Sequence, residues 1–314
     1  MICLHTYLRI LTATLLTSLF LCACQQPTAD TGQLRAAYYW STTFTMDSVQ
    51  TAFLQTHHIS RLYLRYFDVV MGPDGKARPN ATVRFVDAAP AGVDIVPVVF
   101  IMNDCMAGDT GNMAERIVKR ILQMNETHDR GTVSEIQIDC DWTASTEARF
   151  FAFLDDMRNA LQPHGIALSA TIRLHQLRTA VPPVDRGVLM MYNTGNMTRL
   201  DDHHPILSLQ VARPYLQSLA DYDLPLSTAY PLFRWELLFR GQQFVGILHG
   251  DNLPRMAGDS IVVREPSLDE ILEARRLIGQ LRPDANHEVI LYELSDYYNI
   301  TRFNTEDYET IFAD

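Results

Sequence analysis

Residues 134–143 read SEIQIDCDWT and bring two carboxylates to the end of an alternating apolar run. On an extended strand, residues at i and i+2 share one face, so Asp139 and Asp141 stand roughly 7 Å apart on it. Buried side by side, two carboxylates repel, and one is pushed toward its protonated form unless a cation intervenes. Arg65 and Arg173, each inside another apolar run, are the candidate cations. Such a group suits proton transfer to a bound molecule, or equally an ion-pair network that organises an interior. Parity orients it: Ile136, Ile138 and Cys140 share the face expected to meet packed helices, which turns Gln137, Asp139 and Asp141 toward an inner axis.

Other side chains could complete a site. Glu293 closes Leu291-Tyr292-Glu293, and Glu236 lies in Phe233-Arg234-Trp235-Glu236. Either is a candidate second acid; Glu293 could instead pair with Arg173 or cap a loop. Asp68 and Asp104 read as loop caps. His175, two residues past Arg173, is a candidate base or a structural histidine. Trp40, Trp142 and Trp235, with Tyr192 and Tyr230, fall at or just past the ends of apolar runs. Rings so placed either stack on sugar faces, keeping their polar tips wet, or fill a core. The run Asp201-Asp202-His203-His204 is too local for its side chains to converge on one ion. No metal motif, phosphate loop, cofactor fingerprint or Ser-His-Asp elbow is present.

Eight β-like runs are available to position these residues: Ala36–Trp40, Arg61–Phe67, Ile95–Ile101, Glu135–Asp141, Ala167–Arg173, Val188–Tyr192, Leu226–Ala229 and Val289–Glu293. Their near-continuous Val, Ile, Leu and Tyr content suits strands buried on both faces. Between them, residues 114–124, 146–161 and 268–281 carry apolar faces of helical period. Ser145 and Ser267 occupy expected N-cap positions, each followed by an acid within three residues. Eight strands alternating with helices over about 280 residues fit a closed (β/α)8 TIM-type barrel. An open doubly wound sheet is the alternative, but Tyr38-Tyr39-Trp40-Ser41 does not resemble its glycine-rich first turn. Two departures are expected: residues 71–92 replace a second helix, and residues 230–262 form an aromatic insertion after strand seven, containing a hairpin.

Asp139-Cys140-Asp141-Trp142-Thr143 resembles the strand-four signature Asp-x-x-Asp-x-Asp-x-Glu of the chitinase-like family-eighteen glycoside hydrolases. On that pattern Asp139 and Asp141 match the second and third aspartates, Ile136 stands for the first, and Thr143 replaces the glutamate that protonates the leaving group. Met190-Met191-Tyr192-Asn193 is similar to that family's strand-six Met-x-Tyr-Asp, again with its acid neutralised. The resemblance implies that an aspartate and a tyrosine orient the substrate's N-acetyl group. A threonine hydroxyl does not serve as an acid near neutral pH, so the family's mechanism lacks its proton donor here. The chain also resembles, over most of its length, uncharacterised bacterial (β/α)8 lipoproteins with a similar Gln-Ile-Asp-x-Asp strand and a run like Leu62–Val69. That implies fold and compartment and no known reaction.

The first residues address the compartment. Arg9 precedes an apolar stretch, Leu11–Leu21, and Leu21-Cys22-Ala23-Cys24 resembles a bacterial lipobox; a plain secretory signal cut near Ala23 is the alternative. The expected organisation is a signal peptide over 1–23, a lipidated Cys24 with a tether to residue 34, and one barrel domain over 35–314. Cys105 and Cys140 remain in the folded part, with a bridge between them as one option. The chain has 314 residues, 47% of them hydrophobic, and a formal net charge of -11. Its only lysines are Lys76 and Lys119. That balance argues against a nucleic-acid partner, whose phosphates demand clustered cations. The expectation is a barrel held at the bacterial envelope through a Cys24 lipid, facing the periplasm or exterior. It would take an oligosaccharide and either cleave or merely bind it. Asp139, Asp141, Glu293 and Glu236 are the catalytic candidates. Trp142, Tyr192, Arg173, Arg65, Trp40 and Trp235 would hold the sugar, without metal or cofactor.

Overall fold

The computed structural model describes residues 32–250 and 252–313. Cys24, the signal segment and most of the tether lie outside the described residues. The residues from Leu34 onward form one compact unit.

That unit is a closed barrel of eight parallel strands: β1 (Leu34–Tyr39), β3 (Arg61–Met71), β6 (Asp94–Ile101), β7 (Glu135–Asp139), β8 (Ala167–Arg173), β9 (Arg186–Met190), β10 (Leu226–Pro231) and β14 (Glu288–Tyr292). Closure is explicit in β1, where Ala37 partners Leu291 on one side and Leu62 on the other. All eight expected runs are barrel strands.

The helices outside are α1 (Ser48–Thr56), α2 (Met113–Thr127), α3 (Glu147–Leu161), α4 (Leu209–Leu216), α5 (Leu268–Leu281), α6 (Tyr297–Thr301) and α7 (Thr305–Phe312). Helix α5 starts as its sequence prescribes. The Ser267 hydroxyl accepts from the Glu270 amide, and the Glu270 carboxylate accepts from the Ser267 amide, a reciprocal cap. Helix α3 starts one residue later than expected, with Thr146 in the cap position. A turn from Thr143 to Thr146 precedes it, and Ser145 spends its hydroxyl on Thr143 Oγ1 at 2.9 Å.

Both departures from the barrel pattern occur. Between β3 and β6 the chain forms β4 (Ala77–Asn80), antiparallel to β3, and β5 (Arg84–Phe85), which pairs with β2 (Thr43–Phe44). After β10 it builds a separate antiparallel sheet from β11 (Trp235–Arg240), β12 (Gln243–Ile247) and β13 (Asp259–Arg264), with β11 central.

Strand alternation divides the apolar residues in two. Ile136, Ile138, Cys140 and Trp142 join the larger core under the helices. Tyr38, Tyr63, Val96, Val98, Met190 and Ile290 pack inside the barrel. The inside is layered. At its floor, where the strands begin, Arg186 binds Glu135 at 2.9 Å and Glu288 at 2.8 Å, and Arg61 and Ser227 also reach Glu288. Above it Tyr38 stacks on Tyr63, ring centroids 5.0 Å apart, and donates to Gln137 Oε1 at 2.6 Å. Charge returns only at the top.

Cys105 and Cys140 are separate buried thiols, so the optional bridge is absent. Burial raises both thiols above their ordinary range, Cys105 to about 11, which keeps them protonated and packed as small apolar groups.

Candidate functional site

Strand β7 delivers its side chains as parity requires. Gln137 and then Asp139 face inward, and the chain leaves the barrel through Asp141 before turning at Thr143. The Asp139 carboxylate is buried, accepting from Thr171 Oγ1 at 2.6 Å and from Arg173 Nη2 at 3.0 Å. Asp141 accepts from Nε of the same guanidinium, but its side chain is 58% exposed. One arginine thus spans the two aspartates, one dry and one wet. Burial pushes the Asp139 carboxyl above its ordinary range; Arg173 and the Thr171 hydroxyl oppose the rise, and Asp141 and Asp68 add to it. Arg173 is held more firmly protonated by Asp139, Tyr192 and Asp141, against the cost of its own burial.

Around this trio the ends of β7, β8 and β9 enclose an open groove of about 380 Å³. Asp141, Thr143, Arg173, His175, Tyr192 and Tyr215 line it. Its size falls within the range of roughly 300–1,000 Å³ typical of small-ligand sites. Tyr192 is almost buried, and burial lifts its phenol well above the usual range, so it stays protonated; its hydroxyl donates to Met190 Sδ at 3.3 Å. Asn193, next along, adopts a left-handed conformation (φ 56°), which asparagine tolerates better than most residues.

Tyr192 also joins the groove to an aromatic wall. Its ring lies 4.7 Å from Tyr292 and 5.6 Å from Phe233. Tyr292 in turn meets Trp40 at 5.9 Å, and Phe233 meets Trp235 at 5.5 Å. Trp40 and Trp235, expected at this mouth, are therefore brought together with Tyr192 and are partly exposed. Phe233 and Tyr292 were missed, although Tyr292 shares inward parity with Ile290 and so was readable.

The other expected residues fall elsewhere. Trp142 is fully buried on the helix side, 5.3 Å from Phe151 and 6.0 Å from Phe150, and presents no face to a ligand. It shares parity with Ile138 and Cys140, the signal that places it there. Arg65 does not reach the aspartates of β7: it forks onto Asp68, with Nε to Oδ1 at 2.8 Å, and lies over Trp40 at 5.5 Å. Glu293 is a loop organiser. Its carboxylate accepts from the amides of Ser295 at 2.9 Å, Asp296 at 3.2 Å and Trp40 at 3.3 Å, and from Asn299 Nδ2 at 3.2 Å. Burial raises its pKa and these donors lower it. Glu236 sits on β11, paired with Arg234 at 3.2 Å. Neither glutamate lines the groove. Asp201 pairs with Arg199 and His204 with Glu270, so the acidic-histidine run disperses to separate partners.

The parallel eight-stranded barrel is shared with solved structures of chitinases and of a spore cortex-lytic enzyme. The spore cortex-lytic enzyme SleL of Bacillus cereus superposes with a TM-score of 0.56 at 14% identity, over 89% of this chain and 74% of that one. A chitinase from Chromobacterium violaceum gives 0.56 at 14% identity, over 90% of this chain and 100% of that one. A class V chitinase from Pseudomonas fluorescens gives 0.54 at 12%, over 90% and 100%. At such identities the likeness establishes the fold alone. No protein-family model and no curated protein matches the sequence.

Proposed function

We propose that this barrel binds an oligosaccharide across its groove and aromatic wall without hydrolysing it, at the surface of a bacterial envelope to which Cys24 tethers it. One observation carries the reading: the carboxylates at the mouth are already engaged. Asp139 and Asp141 share Arg173, and the position that would hold a proton donor in the resembling family is Thr143, whose hydroxyl faces Ser145 and Thr146. Glu293 and Glu236, the replacement acids, are committed to other partners. Asp141, Arg173, Tyr192 and the partly exposed rings still offer the mixture of polar hydrogen bonds and apolar faces that sugars require.

A second reading keeps catalysis, because His175 is exposed on the same groove wall that Asp141 lines, and histidine is the commonest general acid or base. One experiment separates the two. Residues 30–314 and the Asp141→Asn variant are titrated with chitin and peptidoglycan oligosaccharides by calorimetry, with reducing-end release followed in parallel. Binding without release, weakened in the variant, is the expected result. Release that disappears in Asp141→Asn would replace the binding reading with hydrolysis, and absence of both binding and release would remove sugar from the account.

A further inference from the structure

The missing second helix leaves a cleft. In a (β/α)8 barrel a helix normally covers the outside of each strand, but here the β3–β4 hairpin fills that place, and α2 stands across from it. The space between them is about 210 Å³. Its floor is apolar, with Phe67 and Val69 from β3 and Ile117 from α2. Its rim is cationic, with Arg78 from the hairpin and Arg116, Lys119 and Arg120 from α2. Residues 116, 119 and 120 are related by helical spacing, so α2 presents its three charges on one face.

Among the described residues no aspartate or glutamate lines this cleft, in a chain whose formal net charge is -11. The cations are therefore concentrated against the overall charge of the molecule. One is partly fixed: the Arg120 guanidinium lies 5.2 Å from the Phe67 ring and donates to Thr82 Oγ1 at 2.9 Å, while its buried Nε has no partner. Like charges gathered around one small volume repel, and an anion placed among them relieves that repulsion. Guanidinium groups match phosphate and carboxylate oxygens two at a time. The floor, in turn, suits hydrocarbon.

We propose that this cleft is a binding site for a small anionic amphiphile, its phosphate or carboxylate head among Arg78, Arg116 and Lys119 and its apolar tail against Phe67 and Ile117. The site shares no residue with the sugar groove and does not depend on that reading. Three probes dissect it by calorimetry: decyl phosphate below its micelle concentration, inorganic phosphate as head alone, and decyl maltoside as an uncharged tail. Decyl phosphate is expected to bind at least about ten-fold more tightly than either partial probe, and to weaken at least about ten-fold in Arg116→Glu/Lys119→Glu. Both substituted residues are exposed on α2, and unchanged thermal unfolding checks that the variant folds. Equal affinity for inorganic phosphate would remove the apolar floor from the site. Binding that survives the charge reversal, or no binding of decyl phosphate, would overturn the proposal.

Discussion

Arg173 serves two carboxylates in different media, and that asymmetry has consequences. Asp139 is almost shut off from water, so its charge depends on the guanidinium and the Thr171 hydroxyl; Asp141 is hydrated even with the arginine in place. Because the folded Asp139 titrates above its ordinary 3.8, the folded chain holds more protons than the unfolded one between the two pKa values. Stability therefore falls as pH rises through that window. Arg173 is the strongest influence opposing the shift, so removing it widens the window upward. Arg173→Ala should lose about 3 kcal/mol or more near pH 7.5, as when one partner of a buried pair is removed, and less at an acidic pH, as Asp139 becomes protonated. Urea unfolding at both pH values measures this, and equal losses would show that Asp139 does not rely on the arginine. This constellation was partly readable in advance: period-two alternation set Asp139 inward, Arg173 stood as a candidate cation, and Tyr192 fell at the end of its apolar run and in the Met-x-Tyr-Asn resemblance. Trp142 obeys that alternation too: it shares parity with Ile138 and Cys140 and packs on the helix side, not at the mouth. The fates of Glu293 and Glu236 were not readable, because they hinge on loop amides and an insertion whose path no local pattern specifies.

At the scale of elements, the barrel is held by what lies at its two ends. The floor network is buried charge: Glu288 is 1% exposed and receives Arg61, Arg186, Tyr63 and Ser227. These groups come from the first residues of β3, β9, β10 and β14, so the network fixes strand register around the barrel at the face away from the groove. Neutralising its centre leaves Arg186 with Glu135 and Arg61 with Asp94, each stripped of one of two carboxylate partners. Glu288→Gln should cost about 3 kcal/mol in chemical denaturation while leaving oligosaccharide affinity of the folded protein unchanged; a loss below about 1 kcal/mol would mean that the network is dispensable. The strands were legible because buried parallel strands are long apolar runs, and α5 because Ser267 and Glu270 write its start. The Gly- and Pro-rich stretch after β3 announced a missing helix without showing that a hairpin and a cleft would take its place. The third strand of the insertion, β13, escaped notice because it pairs with β11 across a long excursion.

The barrel carries its two proposed recognition surfaces, unlike in chemistry, on one frame. The groove and aromatic wall open at the carboxyl ends of β7, β8 and β9, and the cationic cleft lies outside β3 under α2. Between them stands a continuous hydrogen-bonded sheet in which β6 separates β3 from β7. A ligand that binds the folded chain alone stabilises it by about 2.7 kcal/mol at roughly 100 times its Kd. For domains of about 150–250 residues, each kcal/mol moves the melting temperature by about 2–4 °C, and this unit is somewhat larger. If the sheet transmits no rearrangement between the sites, their contributions add, as for distant and independent perturbations. Melting curves with oligosaccharide, with decyl phosphate and with both should therefore show a combined shift equal to the sum of the separate ones. The Arg116→Glu/Lys119→Glu variant should lose only the decyl phosphate share. A combined shift well short of the sum would mean that one ligand weakens the other, and by reciprocity each site would then regulate its neighbour.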